Sequence, residues 1–177
     1  MLATRTIFAD AYRKNAVLFF VGLVFLIVIL FYLIYRNTWA EAYVFAPMAN
    51  LYAAISGILL NLLGYGVNVS GDLIYSSAFS VSVKKGCDAA EPMAIFFAGI
   101  IAFPALVRNK LTGLVLGLSL LFLLNLVRII SLYLMGIHYP DFFETMHLAV
   151  WQVVFIIVAV LLWFLWLRNV VNRTVQK

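Results

Sequence analysis

The sequence predicts an all-α polytopic membrane protein with about four transmembrane helices, one amphipathic or re-entrant helix and a small extracytoplasmic β-hairpin. Three observations carry that expectation. Of the 177 residues 66% are hydrophobic, and the mean hydropathy of +1.09 lies far above that of soluble domains, whose residues are roughly half apolar. Charged residues make up only 11% and gather at the ends of long apolar runs, as bilayer-facing segments require. Between two such runs, the stretch 64–85 carries Gly64, Gly66 and Gly71 among short alternating sequences.

The first span is Ala16–Tyr35, 20 residues without a charge. It is expected to remain as an anchor, because 17–35 is too long for a signal-peptide core and no small-residue cleavage site follows it. Segment 48–64 is apolar but places Asn50, Gly57, Asn61 and Gly64 on one helical face, which marks an amphipathic helix. Residues 65–91 form an extracytoplasmic loop containing the hairpin of 67–83. The remaining spans are 93–106, closed by Pro104 and the turn Arg108-Asn-Lys110, then 111–134, then 146–167.

The excess of 12 Lys and Arg over 7 Asp and Glu gives a net charge of +5. These bases sit at segment ends, where they orient helices in a lipid bilayer, so no nucleic-acid partner is implied. If 48–64 does not cross, eight bases (Arg5, Arg13, Lys14, Arg108, Lys110, Arg168, Arg173 and Lys177) fall on the inner side, against Arg36, Lys84 and Lys85 outside. Crossing would nearly equalise the two sides. The bias therefore selects a non-crossing helix and puts residue 87 and the far end of 111–134 outside the cytoplasm.

The chemistry is carried by residues that this alternation brings to one face. Arg128 lies roughly 27 Å along a helix counted from Lys110, near the far surface of a ~30 Å hydrocarbon core. An ionisable residue there is a functional candidate, and Asn125 one turn earlier shares its face. A guanidinium fork suits an oxyanion or a carboxylate. The single cysteine excludes an internal disulfide. Cys87 stands at a helix entrance after Lys84-Lys85-Gly86, where nearby cations and the helix N-terminus are expected to favour the thiolate.

Glu91 is either a helix-start acid or a supporting residue, and Asp88 reads as the former. His147 opens the last span, where an imidazole beside a thiol can activate a nucleophile and later protonate an amine. Trp151, one turn on, either packs over His147 or anchors the helix, and Trp163 and Trp166 read as interfacial belt residues. Gly113 and Gly117 predict close helix packing. Spacing alone thus suggests acyl transfer at a peptide bond near the outer leaflet. One Cys and two His do not make a metal site, and no cofactor motif is present. The alternative is a non-enzymatic membrane scaffold or transport subunit with Arg128 and Asn125 as interhelical polar contacts.

Four pieces, Gly86-Cys87-Asp-Ala-Ala-Glu91, Ala102-Phe-Pro104-Ala, Asn125-Leu-Val-Arg128-Ile and Phe142-Phe-Glu-Thr-Met-His147-Leu-Ala-Val-Trp151, resemble the exosortase/archaeosortase family of membrane cysteine transpeptidases. The compact length, the Ala-Phe-Pro and the His-x-x-x-Trp are similar to the exosortase H subgroup. Members commonly have Gly where this chain has Ala89, and a small polar residue or Asn at the position of Asp88. The resemblance implies protein sorting in the bacterial cytoplasmic (inner) membrane. The substrates would be secreted proteins with a short C-terminal motif, a transmembrane helix and a basic tail, cut near the membrane and passed to a lipid, a glycan or water. It implies Cys87 as the thioester nucleophile, Arg128 as the holder of oxyanion or substrate, His147 as the proton shuttle and Asn125 as the support of Arg128. For the exosortase H subgroup it implies a tail beginning Ile-Pro-Thr-Leu with a Trp-Gly element.

Overall fold

The computed structural model describes residues 15–175, with side chains up to Val171. Arg5, Arg13, Lys14, Lys177 and the side chain of Arg173 lie outside that range. Helix α1 is Ala16–Tyr35, as the uncharged run predicts. Helix α2 runs Thr38–Leu62, longer than the expected amphipathic segment. It starts early because the Asn37 side chain accepts the Trp39 N–H at 2.8 Å, a helix cap. It also absorbs Pro47 through a π-helical turn over Glu41–Phe45, which relieves the clash a proline ring makes with the preceding turn.

Strands β1 (Asn68–Ser70), β2 (Leu73–Tyr75) and β3 (Ser80–Ser82) form an antiparallel meander with Val69 opposite Ile74 and Ile74 opposite Val81. The expected hairpin thus has a third strand. The sheet packs on α2, with Val69 over Gly57 and Asn61 bonding both the N–H and the carbonyl of Val67. The polar and glycine face of α2 therefore meets the sheet, which accounts for its amphipathic pattern.

Helix α3 is Ala90–Ala102, and Phe103 turns extended before Pro104, a residue that disfavours helix at the position preceding it. At 13 residues α3 is about 20 Å long, short of the ~30 Å hydrocarbon core. It packs against α1, α4 and α5. Helix α4 is Val107–His138, 32 residues and about 48 Å, and overruns the expected 111–134 at both ends. Helix α5 begins as short turns over Pro140–Phe142 and Phe143–Thr145, passes through a π-helical turn Met146–Val150 and continues as Trp151–Val175. Four helical stretches, Ala16–Tyr35, Thr38–Leu62, Val107–His138 and Pro140–Val171, are long and apolar enough to cross a membrane.

Packing fixes where these elements lie. The expected close approach at Gly113 and Gly117 is present: an added Cβ would fall 2.3 Å from Trp166 and 2.1 Å from the Phe96 ring. Trp166 is buried and donates to the Asn109 carbonyl at 2.9 Å, while Trp163 packs on Gly99 and near Phe20. Both tryptophans are thus packing residues of the bundle rather than a surface belt. At the other end, Lys85 meets Glu41 at the start of α2, Tyr52 stacks on Phe122, and Tyr65 beyond α2 reaches His138 at the end of α4. Helix α2 begins where α1 ends and follows the C-terminal half of α4. One buried cluster joins α2, the sheet and upper α4 and includes Cys87; a second joins α3, α4 and α5 and includes Ala89. The turn 87–89 is the seam between them.

Candidate active site

The seam is an unusual piece of backbone. Gly86 has φ +88 and Ala89 φ +55, and the Cys87 N–H closes a turn on the Lys84 carbonyl at 2.8 Å. The left-handed region costs a non-glycine residue about 1–2 kcal/mol, so Ala89 holds strain at the position where the resembled family commonly has Gly. Asp88 then steers the chain into α3, its Oδ1 accepting the Ala90 N–H at 3.2 Å and its Oδ2 the Tyr35 hydroxyl at 3.1 Å.

This turn delivers Cys87 Sγ to 2.9 Å from His147 Nε2. His147 lies in the π-helical turn of α5, and such turns widen a helix locally and recur at functional sites. The Phe143 ring sits 5.7 Å from the imidazole. Arg128 is 3% exposed, with Nη2 donating to the His147 carbonyl at 3.4 Å and lying 4.0 Å from Cys87 Sγ. Its Cζ lies 5.6 Å over the Phe155 ring, and its Nε is buried without a partner among the described residues. Asn125, fully buried, donates from Nδ2 to the Cys87 carbonyl at 3.0 Å. Asn125 therefore supports the cysteine turn directly rather than Arg128.

Electrostatics at the thiol differ from what the neighbouring lysines suggest. Burial pushes the Cys87 thiol above its ordinary value; Arg128 opposes that rise and Asp88 adds to it. Lys85 has turned away, with Nζ on the Tyr35 carbonyl at 2.9 Å, on the Glu41 carboxylate and over the Tyr35 ring. The first amide of α3 is taken by Asp88. The Cys87 thiol faces an imidazole within hydrogen-bond reach. Burial also pushes the Asp88 carboxyl up, while its hydrogen bonds from Ala90 and Tyr35 hold it down.

The other candidates lie further out. Glu91 accepts the Tyr32 hydroxyl at 3.1 Å and ties α3 to α1. Trp151 lies 6.2 Å from the Phe155 ring, which in turn sits under the guanidinium. His138 meets Tyr65. Sequence reasoning missed Tyr35 and Asp88 as a buried clamp, and Phe155 as the floor under Arg128; an aromatic one helical turn after Trp151 was the available signal for the last. Two cavities meet at Asp88. An apolar one of about 480 Å³ lies between α1, α2 and α3, lined by Ile34, Phe45, Met93 and Phe97 among others. A second, of about 380 Å³, sets the charged groups of Glu41, Asp72, Lys84 and Lys85 beside the apolar Phe45 and Val83. Among the described residues no cluster of His, Cys, Asp or Glu has the makings of a metal site.

The chain is thus a multi-pass membrane protein in which thiol, imidazole and guanidinium converge at one end of the bundle. A protein-family model described as transmembrane exosortase (EpsH) matches residues 11–164, and the chain belongs to that family. No curated protein and no solved structure matches it.

Proposed function

We propose that the protein is a protein-sorting cysteine transpeptidase of the bacterial inner membrane, with its site facing the extracytoplasmic side. The observation that carries this is the 2.9 Å contact of Cys87 Sγ with His147 Nε2 beside a buried guanidinium whose Nε has no partner among the described residues. A merely structural arginine in a bundle interior would have its Nε paired too, because an unpaired buried polar group costs about 1–3 kcal/mol.

In this reading His147 takes the thiol proton as Cys87 Sγ attacks the scissile carbonyl. The oxyanion of the tetrahedral intermediate is held by Arg128. Collapse breaks the C–N bond, the leaving amine takes the proton from His147, and a thioester remains on Cys87. An acceptor hydroxyl, amine or water then loses its proton to His147 and attacks the thioester. The thiolate leaves and is reprotonated.

The substrates are secreted proteins with a C-terminal motif, a transmembrane helix and a basic tail. The exosortase H likeness adds a tail built around Ile-Pro-Thr-Leu and Trp-Gly. An apolar cavity and one carrying charged residues, meeting at Asp88, suit a substrate in which a polar motif adjoins a hydrophobic helix. The test is co-expression of a tagged substrate with wild type and with Cys87→Ala, Arg128→Ala and His147→Ala, scored for membrane insertion and for substrate mass. Loss of a defined cleavage in all three inserted variants supports the proposal, and the added mass identifies the acceptor. Undiminished processing by Cys87→Ala overturns it.

A further inference from the structure

Asn125 has two ends, and its Nδ2 is engaged by the Cys87 carbonyl. Tyr52 of α2 stacks on Phe122, one helical turn before Asn125, and so packs against the face of α4 that carries the amide. Tyr52 is fully buried, its ring centroid 4.6 Å from that of Phe122, and among the described residues neither its Oη nor Asn125 Oδ1 has a hydrogen-bond partner. Two buried polar atoms left open on packed neighbouring helices are costly, and a hydrogen bond between them satisfies both.

We infer that Tyr52 is a positioning residue, its hydroxyl hydrogen-bonding the Asn125 amide so that Asn125 in turn holds the Cys87 carbonyl. The inference rests on the transpeptidase reading and deepens it. Helix α2, which gives no residue to the thiol–imidazole–guanidinium group, is thereby coupled to the nucleophile. The strained turn between Gly86 and Ala89 has two left-handed residues and needs an outside tether to keep Sγ on His147. Asn125 supplies the tether and Tyr52 fixes its orientation. Once the tether is loosened, Cys87 drifts from Arg128, the cation that opposes the burial effect on the thiol, and the apparent pKa of the thiol moves up.

The experiment measures alkylation of Cys87 by iodoacetamide across pH in the full-length protein, for wild type, Tyr52→Phe, Asn125→Ala and the double variant. Tyr52→Phe keeps the ring stack, so the bundle stays folded. The expected result is a fall of about fivefold in alkylation rate near neutral pH for Tyr52→Phe, with the profile displaced to higher pH. Asn125→Ala falls at least as far, and the double variant no further than Asn125→Ala. In substrate processing, kcat falls with KM unchanged. A Tyr52→Phe profile that superimposes on wild type, or losses that multiply in the double variant, overturns the inference. Normal processing by Cys87→Ala would instead remove the transpeptidase reading, and the alkylation profiles would still decide the role of Tyr52.

Discussion

Arg128 Nη2 donates to the backbone carbonyl of His147 at 3.4 Å, so the side chain facing the thiol also pins the π-helical turn that presents the imidazole. One guanidinium therefore does two jobs, and a point charge cannot replace it. Arg128→Lys is expected to lose about 10²–10³ in kcat, much as Arg128→Ala does, because a lysine offers no planar fork. Turnover of a synthetic sorting tail in detergent checks this.

His147→Ala is expected to lower kcat by about 10²–10⁴ while leaving Cys87 open to alkylation. The thiol remains in place because its turn is held by Asn125 and not by the imidazole. Alkylation and processing measured on the same preparation separate the two effects.

The pH dependence of the thiol distinguishes its true cation from its sequence neighbours. Burial raises the thiol and Arg128 lowers it, so removing Arg128 must raise it further. Arg128→Gln should shift the alkylation profile to higher pH. Lys85→Ala should leave it in place, since Lys85 is spent on Glu41 and Tyr35. A profile that moved with Lys85 would contradict this assignment.

Most of the architecture was legible in the sequence because hydropathy reports directly on what meets lipid. Cys87, Arg128 and His147 were brought together by helix alternation alone. The helix bounds were less legible: α4 continues past the apolar run, and α3 stops at Phe103 because of Pro104. The lysines misled because proximity in sequence says nothing about which way a side chain turns, and Lys85 found a carboxylate. Asp88 was masked by its ordinary helix-start setting. The π-helical turn at His147 has no sequence mark comparable to Pro47 at the other one.

Ala89 offers a test of backbone strain. Ala89→Gly relieves about 1–2 kcal/mol of left-handed strain and forfeits about 0.8 kcal/mol of methyl burial, so stability stays equal or rises slightly. Ala89→Val adds a branched side chain at φ +55 in a buried site and should cost several times that, with loss of processing. Thermal melts in detergent give both numbers.

Gly117→Leu drives a side chain into the Phe96 ring, which lies 2.1 Å from where a Cβ would sit. Separation of α3 from α4 should cost at least ~1–3 kcal/mol and reduce processing by moving Cys87 relative to Arg128. A Gly117→Leu protein as stable as wild type in a thermal melt would contradict that packing.

The central claim is covalent chemistry at Cys87, and its most direct test is intact-mass analysis of the protein purified after co-expression with a tail-bearing substrate. The account predicts an adduct mapping to Cys87, carrying the substrate up to its cut and released by hydroxylamine, and absent from Cys87→Ala. Substrate cut at the same bond by Cys87→Ala, with no adduct on the wild type, would contradict it.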